Sequence, residues 1–290
     1  MQREKLRPQL NIKDITMIID GRYLCYRTKY SRGGNLSYNN MDTGMFYGFF
    51  NTLQSIANNH FVTNTVIMWD IPFYNIRKKE FEGYKNRETV LATPQEVEEK
   101  EKFEDSYDFL SSFCGKKLGF ASYVLPNYEA DDLIALWCIQ FSKGTNIIIT
   151  RDEDMYQLIN ENTYLYDPDK KIIKNLQWFR RTYGIEPEQW ANYKAIAGCK
   201  SDTVPGIPGM GEKRTLAYLK GDKTYIDKVE QHHDLYELCY QLVVLPHPSL
   251  KNYWLPYKET RLNEDEFTQF CFECGIVSFI EKIHKFYIFT

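Results

Sequence analysis

Aspartates follow three apolar runs in the chain. The runs ITMII and TVIMW lead directly into Asp20 and Asp70, and NIIIT leads, one residue later, into Asp152. Such runs are typical of buried strands, and ligands of an open parallel sheet bind at the carboxyl ends of the strands. We therefore expect these carboxylates to converge in one crevice. Acids that lie so close together repel one another unless a cation neutralises them.

Five further carboxylates stand at the starts or ends of predicted elements. They are Glu129, Asp131, Asp132, Asp154 and Asp202. A ligand set made only of oxygens suits Mg²⁺ or Mn²⁺ rather than zinc. Two such ions about 4 Å apart stabilise the attacking and the leaving oxygen of a phosphodiester, so no catalytic histidine or serine is needed. Each acid alone fits a helix cap or a helix dipole, but their recurrence at strand ends favours a shared metal site.

Two cations, Lys85 and Arg87, lie between Asp70 and an acidic stretch at 96–108. As surface residues they need no function. Beside a metal site, however, they would hold the scissile phosphate and offset its developing charge. The acidic stretch has helical spacing, and we interpret it as the solvated face of a helix.

A glycine-rich turn separates a helix predicted at 190–198 from a basic helix. The turn and the start of that helix contain Gly206, Gly209, Gly211, Lys213 and Arg214. Glycines let the backbone approach a phosphate closely, and the free amides at a helix start favour an anion. An ordinary interhelical loop would also explain the glycines. The two flanking helices favour a helix-hairpin-helix that grips a DNA backbone.

The elements that position these residues alternate between strands and helices. Strands are predicted at 15–20, 65–70, 121–125 and 146–150, and helices at 41–59, 129–141 and from 152 through 158. This alternation predicts an α/β fold with a parallel sheet and helices on both of its faces. From about residue 186 the pattern is helical, apart from the glycine turn.

Composition places only loose bounds on function. The formal net charge of −3 argues weakly against a DNA-binding protein, unless acids cluster at a metal site and bases elsewhere. The seven cysteines have no disulfide-like rhythm, which fits a reducing compartment, and the single pair Cys271 and Cys274 lacks a second pair at zinc spacing. Because no apolar stretch suits a signal peptide or a membrane span, we expect a soluble, cytoplasmic protein without membrane contact.

The ordered motifs resemble those of the 5′-nucleases, which include flap endonucleases, phage 5′-exonucleases and the nuclease domain of bacterial DNA polymerase I. The resemblance covers roughly residues 15 to 220, and the spacing is most similar to that of the free-standing phage enzymes. The motifs are Asp20-Gly21-x-x-Leu24-x-Tyr26-Arg27, Asp70, Tyr84-Lys85-x-Arg87, Glu129-Ala130-Asp131-Asp132, Thr150-x-Asp152-x-Asp154, Gly198-x-x-x-Asp202 and the glycine turn.

The resemblance implies a Rossmann-like (PIN-like) nuclease core at 1–185, with a helical arch at about 80–113, and a helical region with the helix-hairpin-helix at 186–290. It implies a first metal on Asp20, Asp70, Glu129, Asp131 and Asp132, and a second on Asp152, Asp154 and Asp202. It also implies that Arg27, Lys85 and Arg87 contact the scissile phosphate. A K⁺ ion would bind at the hairpin, and a 5′ single strand would pass beneath the arch.

One position departs from the family pattern. The family usually has Gly-Asp-x-x-Asp, whereas this chain has Cys199 in place of the first acid. A neutral thiol is a poor ligand for a hard cation, so the second metal site is expected to be weakened.

The residues and motifs leave three functions open. The first is a metal-dependent 5′-3′ exonuclease and flap endonuclease that acts on DNA with a 5′ flap or 5′ end, or on an RNA primer. Such an enzyme is expected to be a monomer that works beside a replication polymerase. It would lie in the host cytoplasm if it is phage-encoded. The second is a weakly catalytic protein that binds DNA junctions. The third is a phosphatase that uses Asp152 and Asp154, but the downstream motifs of that class are not evident.

Overall fold

The computed structural model describes residues 14–31, 36–39, 41–60, 62–71, 75–86, 93–141 and 144–285. Arg87, which the family resemblance implies at the scissile phosphate, lies outside these residues, as does the 87–92 part of the predicted arch.

A six-stranded sheet forms the centre of the described structure, in the order β5-β4-β1-β6-β7-β8. Its strands are β1 (Ile15–Asp20), β4 (Asn64–Trp69), β5 (Ala121–Val124), β6 (Thr145–Ile149), β7 (Thr163–Asp167) and β8 (Ile172–Lys174). All neighbours pair in parallel except β7 and β8. The short strands β2 (Ser37–Tyr38) and β3 (Met41–Asp42) pair separately. The predicted α/β fold with a parallel sheet is confirmed, except that the edge strand β8 runs antiparallel.

Four of the six strands of the sheet agree with the sequence-based predictions, whereas β7 and β8 were missed, as were the short strands β2 and β3. Strand β8 is a three-residue edge strand whose Ile172 and Ile173 are 43% and 40% exposed. A short strand at an exposed edge has no continuous apolar run, so the signal that revealed the central strands is lacking.

The helices lie on both faces of the sheet and in the C-terminal half of the chain. In order they are α1 (Gly21–Lys29), α2 (Gly44–His60), α3 (Ile76–Glu80), α4 (Pro94–Lys116), α5 (Ala130–Gln140), α6 (Leu176–Tyr183), α7 (Trp190–Ala197), α8 (Glu212–Leu219), α9 (Ile226–Glu230), α10 (His233–Val243) and α11 (Glu264–Glu273). The helix predicted after Asp152 is a 3-10 helix, Glu153–Leu158.

Both faces of the sheet are buried. Met17 and Ile19 of β1 belong to the hydrophobic cluster that includes α2, whereas Ile18 belongs to the cluster that includes α5. Successive side chains of a strand point to opposite faces, so a strand covered on both sides is apolar throughout. This burial explains the uninterrupted apolar runs that precede the aspartates.

Helix α4 is the acidic stretch identified in the sequence. Thr93 and Glu96 form a reciprocal capping box at its start, which fixes where the helix begins. Only one stripe of the helix is buried, and it consists of Phe103, Tyr107, Leu110 and Cys114. Most charged residues of α4 therefore occupy the opposite, solvated face, as predicted, whereas Glu104 is half-buried against Arg22.

The C-terminal part of the chain returns to the sheet. Phe267 and Phe270 of α11 pack against Phe50 of α2, with ring centroids 5.1 and 5.6 Å apart. Cys271 and Cys274 are buried in the same cluster. The division at residue 185 stays a prediction, but the core of the first segment is completed by residues of the second. None of the described helices has the length and apolar character that spanning a membrane requires.

Candidate metal centre and nucleic-acid interface

The carboxyl ends of the neighbouring strands β1 and β4 hold the first pair of acids. Asp20 ends β1 and caps α1, where its carboxylate accepts a hydrogen bond from Tyr23 N at 2.9 Å. Asp70 follows β4, and its Oδ1 accepts a bond from Ala130 N at 2.6 Å. Since β1 and β4 are paired neighbours, both acids lie at the same edge of the sheet. The first turn of α5 brings Asp131 to this edge.

These acids lie near enough to one another for their charges to raise the pKa values of their neighbours. Burial, and then the charges of Asp70 and Asp152, raise the pKa of Asp20 to about 7. Desolvation raises the pKa of Asp131 well above its usual value, and the charges of Asp152 and Asp20 add to the effect. Desolvation likewise raises the pKa of Asp70. Acids whose charged forms are this unfavourable fit a bound divalent cation, which would stabilise all of them as carboxylates.

Asp152 joins the two groups of acids. Its Oδ1 accepts a bond from Asp154 N at 2.8 Å and so caps the 3-10 helix that follows β6. Although the residue as a whole is exposed, desolvation of its carboxyl and the charge of Asp154 raise its pKa to about 6. The aspartates after β1, β4 and β6 are therefore brought together, as the three apolar runs predict.

Glu129 differs from its neighbours because cations hold it in the charged form. It accepts hydrogen bonds from Lys85 Nζ and from the Tyr84 hydroxyl, the latter at 3.0 Å, and Arg77 lies 3.4 Å away. Desolvation alone would raise the pKa of Glu129, but Lys85 and Arg77 bring it below its usual value.

Lys85 lies between the first acids and the loop that carries Asp202. Its backbone N–H donates to the carbonyl of Asp202 at 2.9 Å, and its Nζ lies 3.9 Å from the carboxylate of Asp202 while bonding to Glu129. The residue has a backbone φ of +50°, which is uncommon for residues other than glycine. The chain thus adopts a sparsely populated geometry to place this ammonium among the acids.

Asp154, Cys199 and Asp202 form a second cluster, with potential ligand atoms all within 4.8 Å of one another. Cys199 Sγ lies 3.4 Å from Asp202 Oδ2 and 3.0 Å from Ser201 Oγ. Burial and the charge of Asp154 raise the pKa of the Cys199 thiol, so it is neutral at pH 7. The departure from the family pattern therefore faces the acids.

Lys194 of α7 enters this second cluster and was missed in the sequence. Its Nζ lies 2.7 Å from Asp154 Oδ1 and 3.8 Å from Cys199 Sγ. The signal that could have revealed it is its position near the end of α7, five residues before Cys199, where a long side chain reaches the following loop.

Asp132 was predicted as a metal ligand, and the structure corrects this. Arg77 donates to its two oxygens at 2.7 and 2.8 Å, and His247 N donates to Oδ1 at 2.8 Å. Asp132 has no exposed surface, and Arg77 is 1% exposed. With both oxygens committed to a buried ion pair, Asp132 holds α5 to α3 and offers no free lone pair toward the other acids.

Arg27 was expected at the scissile phosphate, but here it binds the turn between β7 and β8. Its Nε lies 2.7 Å from Asp169 Oδ1, and its other nitrogens donate to Thr52 Oγ1 at 3.3 Å and to the Pro168 carbonyl at 3.4 Å. None of these partners belongs to the acidic clusters. A phosphate contact by Arg27 stays a prediction.

The predicted helix-hairpin-helix consists of α7, the loop 198–211 and α8. Gly206 and Gly209 have φ values of +66° and +75°, which favour glycine, and Gly211 is the N-cap of α8. Lys213 is exposed, whereas Arg214 donates to the carbonyl of Gly209 at 2.8 Å and braces the turn.

The same loop carries Cys199 and Asp202. Cys199 and Val204 exchange backbone hydrogen bonds of 3.0 and 2.9 Å. The second cluster and the hairpin are therefore one continuous structure.

Comparisons with known proteins agree with this geometry. The family model of the 5′-3′ exonuclease N-terminal resolvase-like domain matches residues 15–184. A 5′-3′ exonuclease of Aquifex aeolicus is 30% identical over 205 residues, which cover 70% of this chain and 68% of that protein. DNA polymerase I of Thermus thermophilus is 29% identical over 219 residues, or 75% of this chain. The match covers only 25% of that polymerase.

A solved structure shares the fold. The T5 5′-exonuclease, described with bound divalent zinc ions, has a TM-score of 0.67 and 19% sequence identity, and the match covers 94% of this chain and 99% of that one. The fold is thus the PIN-like fold of the 5′-nucleases. Through its resolvase-like domain, the chain belongs to the 5′-3′ exonuclease family.

Proposed function

We propose that this protein is a divalent-metal-dependent 5′-3′ exonuclease and flap endonuclease that hydrolyses DNA phosphodiesters. The observation that carries the proposal is the mutual repulsion of Asp20, Asp70, Asp131 and Asp152 at the carboxyl edge of the sheet. Carboxylates that repel one another at one edge of a sheet indicate a functional site that binds a cation, because the cation neutralises them. Membership of the exonuclease family makes phosphodiester hydrolysis the reaction that such a site supports best.

The ligand types suit Mg²⁺ or Mn²⁺. Asp20, Asp70, Glu129 and Asp131 would hold a first ion, and Asp152, Asp154 and Asp202 a second. When bound, the two ions stabilise the negative charge on the attacking and leaving oxygens of the phosphodiester. This assignment omits Asp132, whose oxygens are committed to Arg77.

Lys85 supplies the positive charge that the protein itself directs at the reaction. Its ammonium bonds to Glu129 and lies near Asp202, so it stands between the two groups of ligands. A phosphate bound there would receive a charge-assisted hydrogen bond as its oxygens gain charge. The backbone bond to the Asp202 carbonyl holds this lysine in place before DNA arrives.

The second site is the weaker one in this proposal. Cys199 replaces a carboxylate, and the Lys194 ammonium already binds Asp154. A cation there would have to compete with Lys194 while having fewer oxygen ligands, which favours Mn²⁺ over Mg²⁺. The alternative function, a weakly catalytic protein that binds DNA junctions, follows if this site stays empty at cellular metal concentrations.

The hairpin defines how DNA would bind. The exposed Lys213 and the amides at the start of α8 suit the phosphates of a duplex, and the hairpin carbonyls suit K⁺. A 5′ flap would pass beneath α4. We further propose a cytoplasmic monomer that removes RNA primers or flaps beside a replication polymerase. Support comes from the match to one quarter of a DNA polymerase I, and from cysteines that are all free.

A labelled 5′-flap substrate tests the proposal. The protein should cleave the flap with Mg²⁺ or Mn²⁺ and should be inactive in chelator. Asp131→Asn should abolish cleavage while flap binding in Ca²⁺ persists, because a neutral amide cannot hold the cations. Binding without cleavage at any metal concentration would favour the junction-binding alternative, and near-normal turnover by Asp131→Asn would refute the metal mechanism.

A further inference from the structure

Tyr107 contacts the backbone of a candidate metal ligand from outside the acidic clusters. Its hydroxyl accepts a hydrogen bond from Asp70 N at 2.9 Å and donates one to the Asp70 carbonyl at 3.0 Å. Tyr107 is 1% exposed, and its ring packs edge-on against Trp69 at 5.5 Å. One hydroxyl therefore satisfies both backbone groups of Asp70, at the point where the chain leaves β4.

The carboxylate of Asp70 is held independently, by Ala130 N at 2.6 Å. The backbone of Asp70 is thus fixed by α4 and its side chain by the start of α5. Moving either helix would move the carboxylate relative to Asp20 and Asp131. Groups that orient a ligand from behind in this way change metal affinity without touching the metal.

Helix α4 is fastened beside Asp70 by a second contact, one turn before Tyr107. Glu104 accepts two hydrogen bonds from Arg22, at 2.5 and 3.2 Å, and both side chains are less than a quarter exposed. The Arg22 guanidinium also lies 4.8 Å from the Tyr107 ring centre. Arg22 stands two residues after Asp20 in α1, so the pair ties α4 to the element that begins at the other candidate ligand.

From these contacts we propose that Tyr107 is a positioning residue for the first metal, and that the Arg22–Glu104 pair sets the position of the helix that carries it. Metal affinity then depends on the position of α4 relative to the metal ligands, and α4 is the helix proposed to lie over the 5′ flap. The inference rests on the proposed metal site.

The test is Mn²⁺ binding to the free protein, followed by electron paramagnetic resonance. Tyr107→Phe keeps the ring and removes the hydroxyl, and it should weaken binding at the tighter site by about tenfold or more, as changes behind a metal ligand commonly do. Tyr123→Phe is the matched control. That tyrosine is also buried, and its hydroxyl donates to the Pro256 carbonyl at 2.8 Å, away from the acids. It should leave Mn²⁺ affinity unchanged.

Glu104→Gln provides a second variant that keeps the tyrosine. It should weaken Mn²⁺ binding by a smaller factor than Tyr107→Phe. Its control is Glu98→Gln, which breaks the exposed pair with Lys102 on the same helix and should have no effect. The Mg²⁺ concentration for half-maximal cleavage should rise in Tyr107→Phe, while the rate at saturating Mg²⁺ stays close to wild type.

Failure of the inference is distinguishable from failure of the proposed function. If Mn²⁺ binds to the wild type and Asp131→Asn abolishes that binding, the metal site stands. Equal affinities in Tyr107→Phe and the wild type would then overturn the role of Tyr107 alone, as would an equal loss in Tyr123→Phe. If the wild type binds no Mn²⁺, the metal site and this inference both fall.

Discussion

The ammonium of Lys194 lies 2.7 Å from a carboxylate oxygen of Asp154. This ion pair stands within the cluster that includes Cys199 and Asp202, at the position proposed for a second cation. The protein thus supplies one positive charge of its own where the family pattern would have one more negative charge. Metal binding at this site should consequently respond to the residue at position 199.

The first prediction concerns Cys199→Asp. Adding a carboxylate should lower the Mg²⁺ concentration needed for half-maximal cleavage, by about tenfold. In chelator the variant should be less stable than the wild type because another like charge is brought among the acids, and Mg²⁺ should restore that loss. Flap cleavage and thermal unfolding across a Mg²⁺ titration measure both effects.

Cys199→Asn is the control for this change, since it has the shape of Asp without the charge. It should not improve Mg²⁺ use. An unchanged metal requirement in Cys199→Asp would mean that the thiol is only a small buried apolar group, despite its place beside Asp202.

The second prediction concerns Lys85→Ala. The single-turnover rate of cleavage should fall by about 100-fold or more, the usual cost of removing a group that stabilises charge in the transition state. Flap affinity in Ca²⁺ should change little. Lys79→Ala removes an exposed lysine of the neighbouring helix α3 and should leave the rate near that of the wild type. A loss of affinity alone would make Lys85 a general backbone contact.

The third prediction separates Asp132 from the metal ligands. Asp132→Asn leaves Arg77 buried without its partner charge, so the free energy of unfolding in urea should fall by about 3 to 5 kcal/mol. Glu186→Gln breaks the exposed pair with Arg180 and should change the free energy of unfolding far less, because solvent screens an exposed ion pair. Mn²⁺ affinity should survive in Asp132→Asn. A loss as severe as that of Asp131→Asn would return Asp132 to the ligand set.

The fourth prediction concerns the hairpin. Lys213→Ala should lower the slope of log K for DNA against log salt by about one, because one counterion fewer is released. Lys251→Ala, a change of an exposed lysine in another element, should leave the slope unchanged. Gly209→Val should weaken duplex binding more strongly, since the φ of +75° strains any side chain there. Equal slopes for Lys213→Ala and the wild type would place DNA elsewhere.

The fifth prediction concerns pH in the presence of chelator. The pKa of Asp20 is raised from 3.8 to about 7 on folding, so the folded state binds more protons than the unfolded state between these values. The free energy of unfolding should therefore fall as pH rises from about 4 to about 7, by about 1.4 kcal/mol for each unit of pKa shift. Asp20→Asn should flatten the curve. A stability that rises with pH across this window would contradict the repulsion among the acids.

The central strands and the acids at their ends could be predicted from the amino-acid sequence. Strands β1, β4 and β6 are buried on both faces, so the sequence of each is a run of apolar residues that ends where the sheet meets solvent. The aspartates after these runs had to share one edge because parallel strands end together. Cys199 could also be recognised from the sequence, through the resemblance to the 5′-nucleases, whose pattern usually has an acid three residues before Asp202.

Which acids are free to bind a metal depends on how the elements pack, and this could not be predicted from the amino-acid sequence. Asp131 and Asp132 are adjacent aspartates, yet the buried Arg77 of α3 binds the carboxylate of Asp132 and leaves that of Asp131 free for a metal. Lys194 likewise binds Asp154, and Tyr107 binds the backbone of Asp70. In each pair the two residues belong to different elements that are far apart in the chain. Spacing along a chain specifies what a helix face or strand end presents, whereas the partner that meets it depends on how the elements pack.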